Sequence, residues 1–486
     1  MAPILIVGAG PVGLTMAAEL ARYGVAVRLI DRCPHPTETS KALVLWSRTL
    51  ELLDRAGCTP AFLAAGLRAR GATLRREGAV LGHPSFESIA SAYNYALMIP
   101  QSATERLLAE HLSGLGVAVE RQVELTGFRE AGGGVEARLR HADGREESVA
   151  TPWLIGCDGA HSTVRHGLGI TFAGSAQGDD WLLADVRLDG DGTPPGDEIA
   201  TYLHRDGPLV IFPIPGGRAR VIGVVGRTDP AHPRAEPTLA DVQAVLDARA
   251  GAGIAVADPV WLTHFRINER KVSEYRHGRV FLAGDAAHIH SPAGGQGMNT
   301  GMQDAINLAW KLAMVARGQA AEPLLDSYSP ERNAVGEMVL RNAGRLTDMA
   351  TLSNPAAQAV RNLALRVLFG FHAVRDRMAA TMSEIEIAYA GSPLSRGPDA
   401  GDRWLPEHDA GAPPGAGATP LFVLYADDAA RGAALTARFP ELVETAPRPA
   451  ADPARLALVR PDGYAGLVAG AGHWEAAERY LSGLAA

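Results

Sequence analysis

Residues 4–13 read Ile4-Leu5-Ile6-Val7-Gly8-Ala9-Gly10-Pro11-Val12-Gly13, four apolar residues running straight into a glycine-rich turn. The apolar run predicts a buried strand, and Pro11–Tyr23 predicts a helix that Gly24 stops. Val25–Asp31, hydrophobic and β-branched, predicts a second strand, so the chain opens as a βαβ unit and a parallel sheet is expected. Between strand and helix, Gly8-x-Gly10-x-x-Gly13 has the setting that a dinucleotide fingerprint needs. Gly8 permits the tight turn, Gly10 lets the backbone approach a pyrophosphate, and Gly13 lets helix and strand pack closely. Pro11 and Val12 open the helix, whose unpaired N–H groups face the phosphates. Asp31, eighteen residues after Gly13 and followed by Arg32, stands where a carboxylate accepts ribose hydroxyls. An acid there suits FAD or NAD rather than NADP.

Working outward, 486 residues are enough for about three domains. Hydrophobic residues at 47% and charged residues at 21% describe a globular chain able to bury a core. A net charge of −8 argues against nucleic acid or an anionic membrane as partner. The three cysteines, Cys33, Cys58 and Cys157, form no CxxC pair and give no disulfide or zinc framework. The apolar N-terminus is short and lacks a basic leader, and no run approaches the roughly 18 apolar residues of a membrane span. A cytoplasmic location is the expectation.

The order of elements predicts an α/β protein. Thr49–Ala56 and Ala103–Leu112 read as helices, and Val135–Leu139 and Glu147–Leu154 as antiparallel strands joined at Asp143-Gly144. Gly132-Gly133-Gly134 reads as a hairpin connection. From Thr171 to about Tyr275 short alternating runs sit between turns, which predicts an inserted antiparallel sheet. Val280–Gly284 returns to the strand style of the N-terminus, and Asn299–Val315 predicts an amphipathic helix. Residues 331–390 read as mostly helical and Gly391–Pro420 as a linker before a small α/β unit. The expected boundaries are 1–171 and 276–395 for a Rossmann-like dinucleotide domain, 172–275 for a substrate domain to which 70–96 contribute, and 396–486 for the last unit.

Two further motifs make the reading specific. Gly284-Asp285-Ala286-Ala287-His288 continues into Ser291-Pro292-Ala293-Gly294-Gly295-Gln296-Gly297-Met298-Asn299-Thr300-Gly301 and then Gln303-Asp304-Ala305-x-Asn307-Leu308-x-Trp310-Lys311-Leu312. Cys157-Asp158-Gly159-Ala160-x-Ser162-x-Val164-Arg165 stands between the first fingerprint and this one. Asp285, after a buried strand, is placed either to accept ribityl hydroxyls or to cap a helix. The segment from Pro292 through Gly295, Gly297, Met298 and Asn299 is nearly free of side chains and opens a helix. Its N–H groups could hold flavin oxygens and stabilise negative charge, as an oxyanion hole does.

Together the three motifs resemble those of the single-component, class A FAD-dependent aromatic hydroxylases, the p-hydroxybenzoate-hydroxylase-like family, over roughly residues 1–390. The resemblance implies that Asp158 and Gly159 touch both FAD and the pyridine nucleotide, and that Gln101 lies against the flavin. Lys41 stands where the family usually has Arg and lacks that planar fork. The family gives His288 and His290 no general catalytic role, and neither is taken as catalytic.

The implied reaction uses NADPH or NADH as transient donor and O2 as co-substrate. A flavin C4a-hydroperoxide then delivers oxygen to a phenolic or polycyclic, polyketide-type aromatic small molecule. Baeyer–Villiger or epoxidation chemistry from the same species is an alternative, and a non-catalytic dinucleotide-binding protein is a further one. A flavin-dependent halogenase would carry Trp-x-Trp, and none of the seven tryptophans lies two positions from another. Candidates for substrate contact are Tyr93, Asn94, Tyr202, His204 and Arg205, with Pro213 in Phe212-Pro213-Ile214-Pro215 as a cover for the ring. The last unit resembles the thioredoxin-like extension of larger family members. Without CxxC it is expected to serve structure or assembly, a homodimer being one option.

Overall fold

The computed structural model describes residues 2–39, 42–227, 229, 234–405 and 411–486. Its central sheet has six strands in the order Arg276–His277, Val280–Leu282, Leu154–Gly156, Ile4–Val7, Val27–Asp31 and Val119–Arg121. All pair in parallel except the first, which folds back on its neighbour. The βαβ start is present, with Ile4–Val7 joined to Val27–Asp31 through the helix Pro11–Arg22. The strand Ile4–Val7 is buried along its whole length, as a parallel strand covered on both faces must be.

The chain then meets this sheet three times in adjacent places. Ile4–Val7, Leu154–Gly156 and Val280–Leu282 are neighbours, and each is followed directly by one of the three motifs. Ligands of open α/β sheets bind at the carboxyl ends of strands, so the topology alone places the three motifs at one edge. A three-stranded antiparallel sheet, Val123–Ala131, Gly134–His141 and Glu146–Thr151, forms from the expected hairpins.

A second, eight-stranded sheet runs His288–Ile289, Ala255–Lys271, Ala173–Asp189, Arg218–Arg227, Leu209–Ile214, Glu198–Tyr202, Gly71–Arg76 and Ala79–Gly82. It is antiparallel apart from one parallel seam between Glu198–Tyr202 and Gly71–Arg76. One face packs Leu182, Tyr202 and Val221 against Val242 and Leu246 of the helix Leu239–Arg249. The other face carries Trp181, Ile222 and Phe212 and turns toward the flavin-motif side of the molecule.

In the C-terminal unit, Val423–Tyr425, Arg455–Val459 and Ala465–Gly470 pair antiparallel. The backbone around 442–448 joins the outer side of the first strand in parallel: Phe422 N–H donates to the Leu442 carbonyl at 2.8 Å and Arg448 N–H to that of Leu424 at 2.8 Å. Parallel pair first and hairpin second is the thioredoxin-like strand order. The turn of that hairpin inserts into the central domain. There Arg460 donates to both oxygens of Glu331 at 2.7 and 2.9 Å, and Asp462 accepts from the Trp310 indole at 3.0 Å. Arg48 reaches the Asp462 carbonyl at 2.8 Å, and Arg55 reaches that of Pro461.

Two expectations change. Gly391–Pro420 does not run free where it is described. Arg396 N–H donates to the Gly466 carbonyl at 2.9 Å and Trp404 N–H to that of Gly463 at 2.9 Å, so glycine and proline here shape a segment fastened to the C-terminal sheet. The helix expected over Asn299–Val315 spans Gly297–Ala316 and is buried nearly all round rather than on one face. No helix among the described residues is long and apolar enough to cross a membrane.

Candidate active site

The first fingerprint has the geometry its glycines require. Gly8 sits at φ +100° with the Cys157 carbonyl only 2.4 Å from where a Cβ would stand, and a Cβ on Gly13 would meet the Gly8 carbonyl at 1.8 Å. Gly10 has nothing within 4 Å of its Cβ position, so the open side of the loop is there. Pro11 is the first helical residue. Val12 is the joint between motifs, because its methyls lie 2.7 Å from a Cβ on Gly284 and 2.8 Å from one on Gly301. Substituting either glycine would separate the first fingerprint from the third.

Asp31 accepts the Ala9 N–H at 2.6 Å and the Cys33 N–H at 2.7 Å, and faces Arg121 at 3.6 Å. Its carboxylate is therefore fixed against the turn of the first fingerprint. Arg32 beside it is exposed. Gln101 opens the helix Gln101–Gly114 and donates to Glu105 at 2.8 Å. Lys41 lies outside the described residues.

The middle motif ties strands together. Asp158 accepts the Ser162 hydroxyl at 2.5 Å and the Val164 N–H at 3.1 Å, closing the start of the helix Thr163–Gly167. Burial pushes the Asp158 carboxyl above the usual range, and these hydrogen bonds pull it back. Gly159, at φ +77°, faces open space. Arg165, matched but not singled out in the sequence, spans to the third motif by donating to the Ala286 carbonyl at 3.0 Å.

In that motif Asp285 is exposed although both its neighbours are buried, as a group held for a ligand would be. Asp304 has the opposite setting. It is fully buried, accepts from Gly284 N–H at 2.9 Å and His288 at 2.8 Å, and pairs with Arg332 at 2.5 Å. Arg332 also donates to the Thr300 carbonyl and the Tyr389 hydroxyl at 2.9 and 2.8 Å. His288 is thus a structural partner of Asp304. His290, its Nδ1 at 2.7 Å from the Ser291 carbonyl, is held down to about 4 by burial. Asn299 locks the loop by donating to the Val44 and Gly295 carbonyls at 2.9 and 3.0 Å while accepting the Trp46 N–H at 2.8 Å. Beneath the same turn lies Glu384, which sequence reading missed, accepting from Thr300 at 2.8 Å and from Gln303.

Pro292 and Gly295 also form part of the wall of a cavity of about 250 Å3 between the central domain and the second sheet. Gly297 and Met298 follow as the first turn of the helix behind that wall. Trp46, Trp181, Phe212, Leu365, Phe369 and Met382 make the rest largely apolar.

None of the six substrate candidates lies on that wall, and strand alternation explains two of them. Thr201 and Leu203 line the cavity while Tyr202 packs under the helix Leu239–Arg249, and Phe212 lines it while Pro213 does not. Tyr93 packs edge-on against Tyr95 at 6.5 Å, and Asn94 donates to the Glu87 carbonyl at 3.2 Å. His204 and Arg205 sit in the turn after the strand, both beside Asp206.

The model of a family described as an FAD binding domain matches residues 1–343. A 6-methylpretetramide 4-monooxygenase from Streptomyces rimosus is 42% identical over 402 residues, 81% of this chain and 71% of its own. A rifampicin monooxygenase from Streptomyces venezuelae is 38% identical over 395 residues, covering 80% of each. The solved anhydrotetracycline hydroxylase OxyS of Streptomyces rimosus superposes with a TM-score of 0.81 at 30% identity, over 99% of this chain and 98% of its own. The motifs, their meeting at one sheet edge and these likenesses agree, and the chain belongs to the class A FAD-dependent aromatic hydroxylases, a family of flavin monooxygenases.

Proposed function

We propose that this flavin monooxygenase hydroxylates a fused-ring, polyketide-type aromatic held in the cavity beside Pro292–Gly295. The observation that carries the reading is the shared wall: the loop matching the family's flavin segment is also the floor of the apolar cavity. Relatives named for tetracycline-type and rifampicin substrates support the fused-ring choice.

The residues present fit FAD. Gly10 leaves a cradle that a side chain would narrow, Asp285 is exposed between buried neighbours, and Gly8 and Gly13 close the turn. In this proposal the Gly8–Gly13 turn with Asp31 holds the adenosine end, Asp285 the ribityl chain and the 292–299 loop the ring. When bound, the flavin supplies dioxygen activation with electrons from NADPH or NADH. The protein's part is to orient the substrate and keep water out. Trp46 and Phe212 present flat apolar surface, and the Asn299 bonds keep the loop from drifting. A homodimer and a cytoplasmic setting belong to the same proposal.

The test follows NADH and NADPH oxidation with flavin-loaded protein across simple phenols, aryl acids and fused-ring aromatics, with product and hydrogen peroxide both measured. Coupled hydroxylation of fused rings is expected. Turnover confined to single-ring phenols, or ketone-to-ester products, would overturn it.

A further inference from the structure

The helix Pro355–Leu368 is built inside out. Its buried residues are Gln358, Arg361 and Asn362, whereas Val360, Leu363 and Val367 stand 69%, 66% and 55% exposed. A surface helix ordinarily turns its apolar stripe inward. Here the inward side lies on the cavity, and Arg361 is the single charged residue among the described residues of the cavity wall.

Arg361 is only 7% exposed, and every partner it has among the described residues is neutral. Nε and Nη2 donate to Asn362 Oδ1 at 3.1 and 3.0 Å, and Nη1 to the Met349 and Ala350 carbonyls at 2.8 and 3.4 Å. Those carbonyls end the helix Tyr328–Ala350, and a helix end offers roughly half a negative charge. Capping explains where Nη1 points but leaves the cation under-compensated. Burial lowers its affinity for a proton, and a second cation, Arg76, lowers it further. A guanidinium nevertheless stays protonated. One Nη2 N–H has no acceptor among the described residues.

We propose that Arg361 selects the substrate by binding one ionised oxygen, that of a phenol or enol conjugated with the ring system to be hydroxylated. This rests on the fused-ring reading above. A single remaining N–H fits one oxygen better than the two-oxygen fork of a carboxylate, which asks for paired donors. Ionisation also makes the ring electron-rich, the state in which it accepts oxygen most readily.

The test uses alizarin, an ionisable fused-ring phenol, and its 2-O-methyl ether, bound to flavin-loaded protein. Alizarin ionisation is read at wavelengths beyond the flavin band. Wild type should lower the ionisation midpoint of bound alizarin by about one pH unit, a tenfold preference for the anion. Arg361→Gln, which keeps a donor for the helix end, should restore the free-ligand midpoint and bind alizarin about tenfold more weakly. Arg361→Lys should recover most of both, and the ether should bind all three proteins alike. An unshifted midpoint in wild type overturns the inference whatever the variants do, as does equal alizarin binding by wild type and Arg361→Gln. If wild type binds neither ligand, the fused-ring reading falls and this inference with it. If both bind without regard to residue 361, only this inference falls.

Discussion

Two helices, one behind the cavity wall and one on it, solve the problem of buried polarity in opposite ways. On Gly297–Ala316, Asn299, Thr300, Gln303, Asp304, Asn307 and Lys311 are all buried, and each has a partner within the protein. Charges there come in pairs: Asp304 with Arg332, and Lys311 with Glu331, which Arg460 also holds. On Pro355–Leu368 the buried polar residues lack such closure. Arg361 pairs with no acid among the described residues, and the difference lies in that charge, since each helix also buries one amide atom without a partner there, Asn362 Nδ2 here and Gln303 Oε1 on the other. A closed network fixes a backbone that must not move, because unpaired buried polarity is costly. An open one points toward something that arrives from outside.

The contrast breaks first at Arg332. Arg332→Ala leaves Asp304 buried and uncompensated, which should cost about 3–5 kcal/mol. A thermal melt should show a large drop together with loss of bound flavin, and a melt close to wild type would mean the network is not closed. Asp285 separates holding a ligand from holding the fold. Asp285→Ala should weaken FAD binding at least about tenfold in a flavin titration while leaving apo stability within about 0.5 kcal/mol. Asp304→Ala should fail in the reverse order, losing stability first; equal behaviour of the two would erase the distinction.

Glu384 sharpens the comparison through pH. Burial pushes its carboxyl up to about 8 from 4.5, with Thr300 and Arg332 opposing. Between those values the folded protein binds more protons than the unfolded chain, so this group's contribution is complete below about pH 4.5 and is lost as pH rises through about 8. Glu384→Gln cannot ionise, and its melting temperature relative to wild type should climb between pH 6 and 9 by an amount worth at least about 1 kcal/mol. A flat difference across that range would show that Glu384 is ionised in the fold. The smallest effect belongs to the outer face of Pro355–Leu368. Leu363→Glu should change monomer stability by less than about 0.5 kcal/mol. A change in sedimentation behaviour would instead reveal that a second copy covers this face.

Much of the fold was legible because local rules and global packing agree there. Gly8, Gly10 and Gly13 declared strand, turn and helix, and the structure gives each the space or the clash its role demands. The family motifs were equally plain, though not that three adjacent strands deliver them. The cavity lining was illegible for a specific reason. Tyr202 and Pro213 sit one residue from cavity-lining Thr201 and Phe212, and a shift of one position in a strand changes face. Arg361 was hidden because its helix reverses the apolar pattern that sequence reading relies on. Nothing local in Arg460-Pro461-Asp462-Gly463-Tyr464 says that this turn ends on Glu331 and Trp310.

That turn has a consequence for synthesis. Arg460 is made about 150 residues after Lys311, which at about 5–20 residues per second is a delay of roughly 7–30 s on the ribosome. During that interval Glu331 has Lys311 but not its arginine, and the Trp310 indole has no carboxylate. The helix behind the 292–299 loop therefore receives its last ties only once residues 460–462 have been made.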